Sequence, residues 1–327
     1  MDALGLDLST DPRKAWWCEL HWPQDAGRAT IVDLGQAHEH GARGDASLAS
    51  VLAERLHAFA PSSDRIAGID APLGWPQAFV DAIRDWAHAD RPRLAKRTEL
   101  RLRPTDRFVQ EITGLTPMSV STDRIGSTAL LCAHVLSDLA ERVHRGALDR
   151  ARARDGIVEV YPAAALRLWS TSDGRPLARA GYKTEASVRE ELLGQLAEVV
   201  DVDAPGAELH VERMIDSDDA LDALLCALVA GAVARGETFS VDAKVRADDL
   251  VLPSTRVADP LAALDGRTER AEALRASAVD LAEREGWIHV PHRSSFPRRT
   301  SPPTPQAAPA REIDGDVAPA PAARPVV

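Results

Sequence analysis

Short apolar runs alternate along this chain with stretches whose apolar residues recur at helical spacing. Residues 3–8 are largely apolar up to the turn-like Ser9-Thr10-Asp11-Pro12, which predicts a first strand. Residues 15–22 and 29–34 predict two more, joined through Pro23-Gln24-Asp25-Ala26-Gly27. Three sequential strands with short turns make an antiparallel meander. Leu48, Val51, Leu52, Leu56 and Phe59 then recur at helical spacing. Ile66-Ala67-Gly68-Ile69 is a strand-like run again, closed by Asp70-Ala71-Pro72. The order β-β-β-α-β predicts an α/β fold with a mixed sheet flanked by helices.

Residues from about 76 to 150 read as a mostly helical insert with an Arg-rich break between Asp90 and Arg107. Residues 157–161 predict a fifth strand, bounded by Gly156 and Pro162. Helices are expected near residues 187–199, 218–235 and 271–285, and a closing extended segment over 286–291. From about residue 293 to 327, Pro, Ala, Ser and Arg dominate without a hydrophobic period. That composition predicts a disordered tail, leaving residues 1–292 as the folded domain.

Composition narrows the picture. With 327 residues, 45% of them hydrophobic, the chain is long enough to bury a sizeable core. A net charge of -11 argues against a protein that coats nucleic acid non-specifically. It argues less against an enzyme with an acidic centre and a basic rim. Aromatic residues make up only 4%, so sequence reading by stacked bases is not expected. Cys18, Cys132 and Cys226 are far apart and form no C-x-x-C pair, which predicts buried free thiols and no structural zinc. No cationic-then-apolar leader opens the sequence and no run of about 18 apolar residues follows, so a cytoplasmic protein is expected.

Five acidic residues then attract attention. Asp7 ends the first strand and Asp70 ends the fourth; either alone reads equally well as a turn cap. Glu159 alternates between Val158 and Val160 in the fifth strand, where it wants a cation or a basic partner, or else faces solvent at an edge. Ser217-Asp218-Asp219 suits a helix N-terminus. That explanation does not extend to Asp222, because Leu225, Cys226 and Val229 place it on the apolar helical face. Asp219 and Asp222, three residues apart, are expected to face one point. Such carboxylates repel one another unless cations lie between them, and hard divalent ions prefer oxygen ligands. Magnesium, or manganese, is the cofactor this cluster implies.

Taken in order, Gly5-Leu6-Asp7, Gly68-Ile69-Asp70-Ala71-Pro72-Leu73-Gly74, Arg103-Pro104-Thr105-Asp106-Arg107, Val158-Glu159-Val160-Tyr161-Pro162-Ala163-Ala164, Tyr182-Lys183, residues 219–230 and Glu285-Gly286-Trp287-Ile288 form a pattern. It resembles the domain-of-unknown-function 429 family of predicted ribonuclease H-like nucleases. More distantly, it is similar to RuvC-type resolvases. The second likeness implies metal ligands at Asp7, Asp70, Asp219 and Asp222, with Asp70 standing where those resolvases carry Glu. The first implies that Arg103, Thr105 and Asp106 lie near the site.

Between Arg91 and Arg107 seven basic residues (Arg91, Arg93, Lys96, Arg97, Arg101, Arg103 and Arg107) face only two acids, Glu99 and Asp106. In an acidic chain this local reversal points to a phosphate-facing surface or to a solvated arginine face. Lys183 is a further candidate for phosphate. The leading expectation is therefore a metal-dependent nuclease with DNA or RNA as substrate. Two alternatives stand beside it: an ATP-dependent phosphotransferase of the actin and sugar-kinase type, and a non-catalytic binding protein on the same fold.

Overall fold

The computed structural model describes residues 1–23, 27–59, 65–87, 95–247, 250 and 260–295. Arg91 and Arg93 of the basic segment, residues 24–26 of the predicted turn and residues 296–327 of the predicted tail lie outside them. The meander is present as β1 (Asp2–Asp7), β2 (Trp16–His21) and β3 (Thr30–Gln36), followed by α1 (Asp45–His57) and β4 (Arg65–Asp70). The expected helical region holds α2 (Gln77–Ala87), α3 (Arg97–Arg101), α4 (Pro104–Thr113) and α5 (Ile125–Arg142). The Arg-rich stretch is thus no simple break: it contains α3 and the start of α4. Pro104 and Asp106 in the first turn of α4 favour that start.

After β5 (Ile157–Val160) come α6 (Pro162–Leu168), β6 (Trp169–Ser170), α7 (Ala186–Leu196), α8 (Glu208–Asp216) and α9 (Asp218–Ala234). The chain then passes through α10 (Pro260–Ala278) and α11 (Ala282–Glu285) to β7 (Ile288–His289) and β8 (Ser294–Ser295). The helix expected over residues 271–285 is therefore two helices, divided after Ala278. Short β8 pairs with β6, just beyond the boundary expected at residue 292.

The main sheet has the strand order β3-β2-β1-β4-β5-β7. Strands β1, β2 and β3 pair antiparallel, whereas β1–β4, β4–β5 and β5–β7 are parallel. This is an α/β mixed sheet flanked by helices, consistent with a ribonuclease H-like fold. Side chains alternate across it, as strand geometry requires. Ala3, Ile66, Val158 and Val160 join the core that contains α9. Leu4, Leu6, Ala67 and Ile69 pack on the other face with α1 and α5. Every residue from 220 to 232 of α9 is buried, so this is an internal helix, and apart from Asp222 that stretch is apolar on all sides. Among the described residues, no helix is long and apolar enough to cross a membrane.

Two glycines set the distance between α9 and the sheet. Gly5 and Gly68 are direct partners across β1 and β4. A Cβ on Gly5 would stand 2.0 Å from the Ala223 carbonyl oxygen, and one on Gly68 would stand 2.7 Å from that of Cys226. Bare backbone at both positions lets the helix lie directly against the strands.

Candidate functional site

Two residues beyond that glycine pair, on the same side of the same strands, come Asp7 and Asp70. They too are direct partners in the parallel register. The sequence Gly-x-Asp thus occurs twice in equivalent places, once to admit α9 and once to present a carboxylate beside it. From the helix, Asp222 enters the same space. One carboxylate oxygen from each of Asp7, Asp70 and Asp222 lies within 4.8 Å of the others. Asp222 is only 1% exposed, while Asp7 and Asp70 keep a partly open edge at the strand ends. The group forms at the carboxyl ends of parallel strands, where open α/β sheets characteristically bind ligands.

Its electrostatics follow from burial and like charge. Burial, then Asp222 and Asp70, push the Asp7 carboxyl well above the usual range. Burial, then Asp222, push Asp70 up to about 8. Asp222 is raised by burial as well, against the opposing effect of Lys183. Lys183 Nζ contacts Asp222 Oδ2 and lies 3.5 Å from Asp218 Oδ2. The Tyr182 hydroxyl donates to Asp222 Oδ1 at 3.1 Å. Among the described residues, no side-chain or backbone donor reaches the carboxylates of Asp7 and Asp70. Three carboxylates therefore face one another with a single ammonium group to balance them. That donor set, all oxygen and rich in negative charge, fits a hard divalent cation.

Asp219 does not join the three. It stands half-buried at the rim in the first turn of α9, raised by burial and by its neighbour Asp218. The spacing of three residues puts Asp219 and Asp222 on neighbouring lines of the helix. In this arrangement, however, only Asp222 reaches between the strands. Ser217 caps the helix, its hydroxyl accepting from the Ala220 N–H at 3.2 Å.

Glu159 requires a correction as a candidate metal ligand. Its register partner is Ile69, so it projects from the sheet on the side away from α9. There Glu159 Oε1 and Oε2 accept from Arg103 at 2.6 and 2.8 Å, and Oε2 accepts from the Leu73 N–H at 2.9 Å. Arg103 is corrected with it, as a phosphate contact only, since it does line the cavity beside the acids. Its remaining donors go to Asp106 Oδ2 at 3.1 Å, Asp106 Oδ1 at 2.8 Å and the Glu285 carbonyl at 2.9 Å. All five guanidinium N–H groups are thereby committed, and Arg103 is 2% exposed, so none is free for a phosphate.

Asp106 is equally enclosed, and Thr105 uses its hydroxyl to accept the Ile288 N–H at 2.8 Å. These three residues join α4 to β5 and β7, and Arg103 and Asp106 also line the cavity beside Asp70 and Asp222, so they do lie near the acids as the resemblance implied. Gly286 completes the joint: its φ of +83° suits glycine, and a Cβ would stand 2.8 Å from Glu159 Oε2. Arg107 is half-buried. Lys183 is exposed and lines the cavity beside the acids, with its Nζ in contact with Asp222. Among the described residues of this stretch, the exposed cations are Lys96, Arg97 and Arg101, on and beside α3.

A cavity of about 250 Å3 opens from the acids, lined by Asp70, Asp222 and Lys183 on the acidic side. Its walls continue over Pro72, Met118, Ile125, Tyr161 and Tyr182. Sequence reasoning did not identify Met118, Ile125 or Tyr161 as part of the site. The signal available was the scarcity of tyrosine: the chain has two, and both line this cavity.

A family model described as "Protein of unknown function (DUF429)" matches residues 5–246. The span takes in Asp7, Asp70, Asp219 and Asp222, while the Glu285-Gly286-Trp287-Ile288 segment falls beyond it. No curated protein and no solved structure matches the chain.

Proposed function

Because the chain belongs to the DUF429 family of unknown function, a kinship that assigns no activity, we propose a function from the site itself: metal-dependent hydrolysis of a phosphodiester in nucleic acid. The observation that carries the reading is the convergence of Asp7, Asp70 and Asp222 within 4.8 Å, with Lys183 as the adjacent cation. These three aspartates would hold Mg2+ or Mn2+, with Asp219 at the rim beside them. When bound, such ions lower the pKa of a water and offset charge on the leaving oxygen.

The chain's own groups supply the rest. The Gly5–Gly68 contact fixes how deeply α9 sits, and hence where Asp222 lies. Tyr182 and Lys183 orient the Asp222 carboxylate from its outer side. The joint formed by Arg103, Asp106 and Glu159 holds the neighbouring cavity wall. The net reaction consumes one water and converts a phosphodiester into a phosphomonoester and an alcohol.

Thermal unfolding with and without Mg2+ tests the metal requirement. Wild type gains stability, by roughly 2.7 kcal/mol when the ion is at a hundred times its dissociation constant. Asp222→Asn loses that gain while remaining folded in chelator. Equal responses from the two proteins would contradict the assignment.

A further inference from the structure

We propose that the cavity beside the acids receives one unpaired base of a single-stranded nucleic acid, whose phosphates run from the acids toward α3. This deepens the hydrolase reading and rests on it for the identity of the substrate backbone. The cavity, at about 250 Å3, lies below the size of sites that enclose drug-sized molecules and suits a single flat ring system. Tyr161, Pro72 and Pro162 offer flat surfaces, and Met118 offers a polarizable side chain, 54% exposed at the opening. Overall scarcity of aromatic residues does not count against one such pocket, since both tyrosines of the chain are placed here.

The wall is held in advance. Ser119, next to Met118, donates its N–H to Asp123 Oδ2 at 2.7 Å and its hydroxyl to the Arg101 carbonyl at 2.7 Å. The second bond ties the cavity wall to the last residue of α3, and Lys96, Arg97 and Arg101 are exposed along that short helix and at its start. A strand with one base in the cavity thus has cations available for its backbone on one flank, in a chain whose net charge is -11. A base inside a duplex reaches such a pocket only after unstacking and unpairing, whereas a single strand avoids that penalty.

Fluorescence anisotropy in Ca2+ with three labelled probes tests this: oligothymidylate, an abasic strand of equal length, and oligothymidylate annealed to its complement. Oligothymidylate is expected to bind about tenfold or more tightly than either other probe, in line with one stacked base. Ile125→Trp, which fills the cavity, is expected to reduce oligothymidylate to the affinity of the abasic strand. It should leave the abasic strand and the Mg2+-induced thermal shift unchanged. Should Ile125→Trp fail to fold, Met118→Ala at the exposed opening is expected to weaken oligothymidylate selectively.

Equal affinity for the abasic strand or the duplex overturns the inference, as does absence of binding by all three. The two readings fail separately. Base-selective binding without hydrolysis in Mg2+ removes the nuclease reading and keeps the pocket. Hydrolysis without base selectivity does the reverse.

Discussion

Replacing Gly5 by alanine adds one methyl group at the point where helix and sheet come closest. The new Cβ would stand 2.0 Å from the Ala223 carbonyl oxygen, 2.3 Å from the Ala227 nitrogen and 2.9 Å from the Cys226 carbonyl carbon. All three are backbone atoms of α9, so no side chain can turn aside. Relief requires α9 to retreat by about 1.4 Å, the gap between the 2.0 Å contact and an ordinary one at 3.4 Å. The helix is buried from residue 220 to 232, so such a shift disturbs its packing along much of its length. Overpacking of this kind costs about 3 kcal/mol, the upper part of its usual range.

The same displacement carries Asp222 away from Asp7 and Asp70, so the Mg2+-dependent gain in stability should shrink along with the basal stability. Urea unfolding in chelator and in Mg2+ measures both effects. Gly194→Ala is the control. Gly194 lies exposed inside α7, nothing stands within 4 Å of the place its new methyl group would take, and the substitution should stabilise by roughly 0.5–1 kcal/mol. A Gly5→Ala protein within about 1 kcal/mol of wild type, with its Mg2+ response intact, would refute the argument that this contact positions the site.

Arg103→Met should destabilise by about 3–5 kcal/mol in urea unfolding, because it leaves the enclosed Asp106 and Glu159 without their counter-charge. Arg103→Lys should recover little of that loss, since an ammonium group cannot reproduce two forked contacts. The pH dependence follows from Asp70, raised to about 8 in the folded chain. A carboxyl whose folded pKa exceeds its unfolded value contributes stability that is complete below about pH 4 and disappears as pH rises through about 8. In chelator, the unfolding free energy should therefore decline across that window by an amount on the order of 1–2 kcal/mol for a partly open group, with the melting temperature falling in step. Mg2+ should flatten the decline, and identical slopes with and without the ion would count against the cluster as its site. Lys183→Met should sharpen the decline in chelator, because it removes the cation beside Asp222.

Much of this arrangement was legible in the sequence, for reasons particular residues make clear. Asp7 and Asp70 each end an apolar run two residues after a glycine, and the parallel register aligns the two tripeptides. Asp222 stood out because a carboxylate on an apolar helical face has no inexpensive explanation. The meander was visible because its runs have strand length and are separated by turn residues. Helices α6 and α8 were not anticipated: they have only seven and nine residues, too short for a few apolar positions to stand out as a helical repeat.

The direction of Arg103 was the least legible feature. Seven basic residues in one segment look alike in sequence, and only tertiary packing separates enclosed Arg103 from exposed Lys96, Arg97 and Arg101. Pro104 and Asp106 did carry a local hint, because Pro at the first helical position and an acid two residues later mark a helix N-terminus. Glu159 was misassigned for a simpler reason. Alternation in a strand specifies that it faces opposite to Val158 and Val160, but not which face holds the other acids.

Incubation of labelled single-stranded, duplex and branched DNA and RNA with the protein and Mg2+ or Mn2+ tests the central claim most directly, with Asp70→Asn in parallel. The account predicts cleavage of at least one substrate only when a divalent ion is present. It also predicts that cleavage is abolished in Asp70→Asn, although that variant unfolds at or above the wild-type temperature in chelator. Absence of cleavage on every substrate, or cleavage that persists in chelator or in Asp70→Asn, would contradict it.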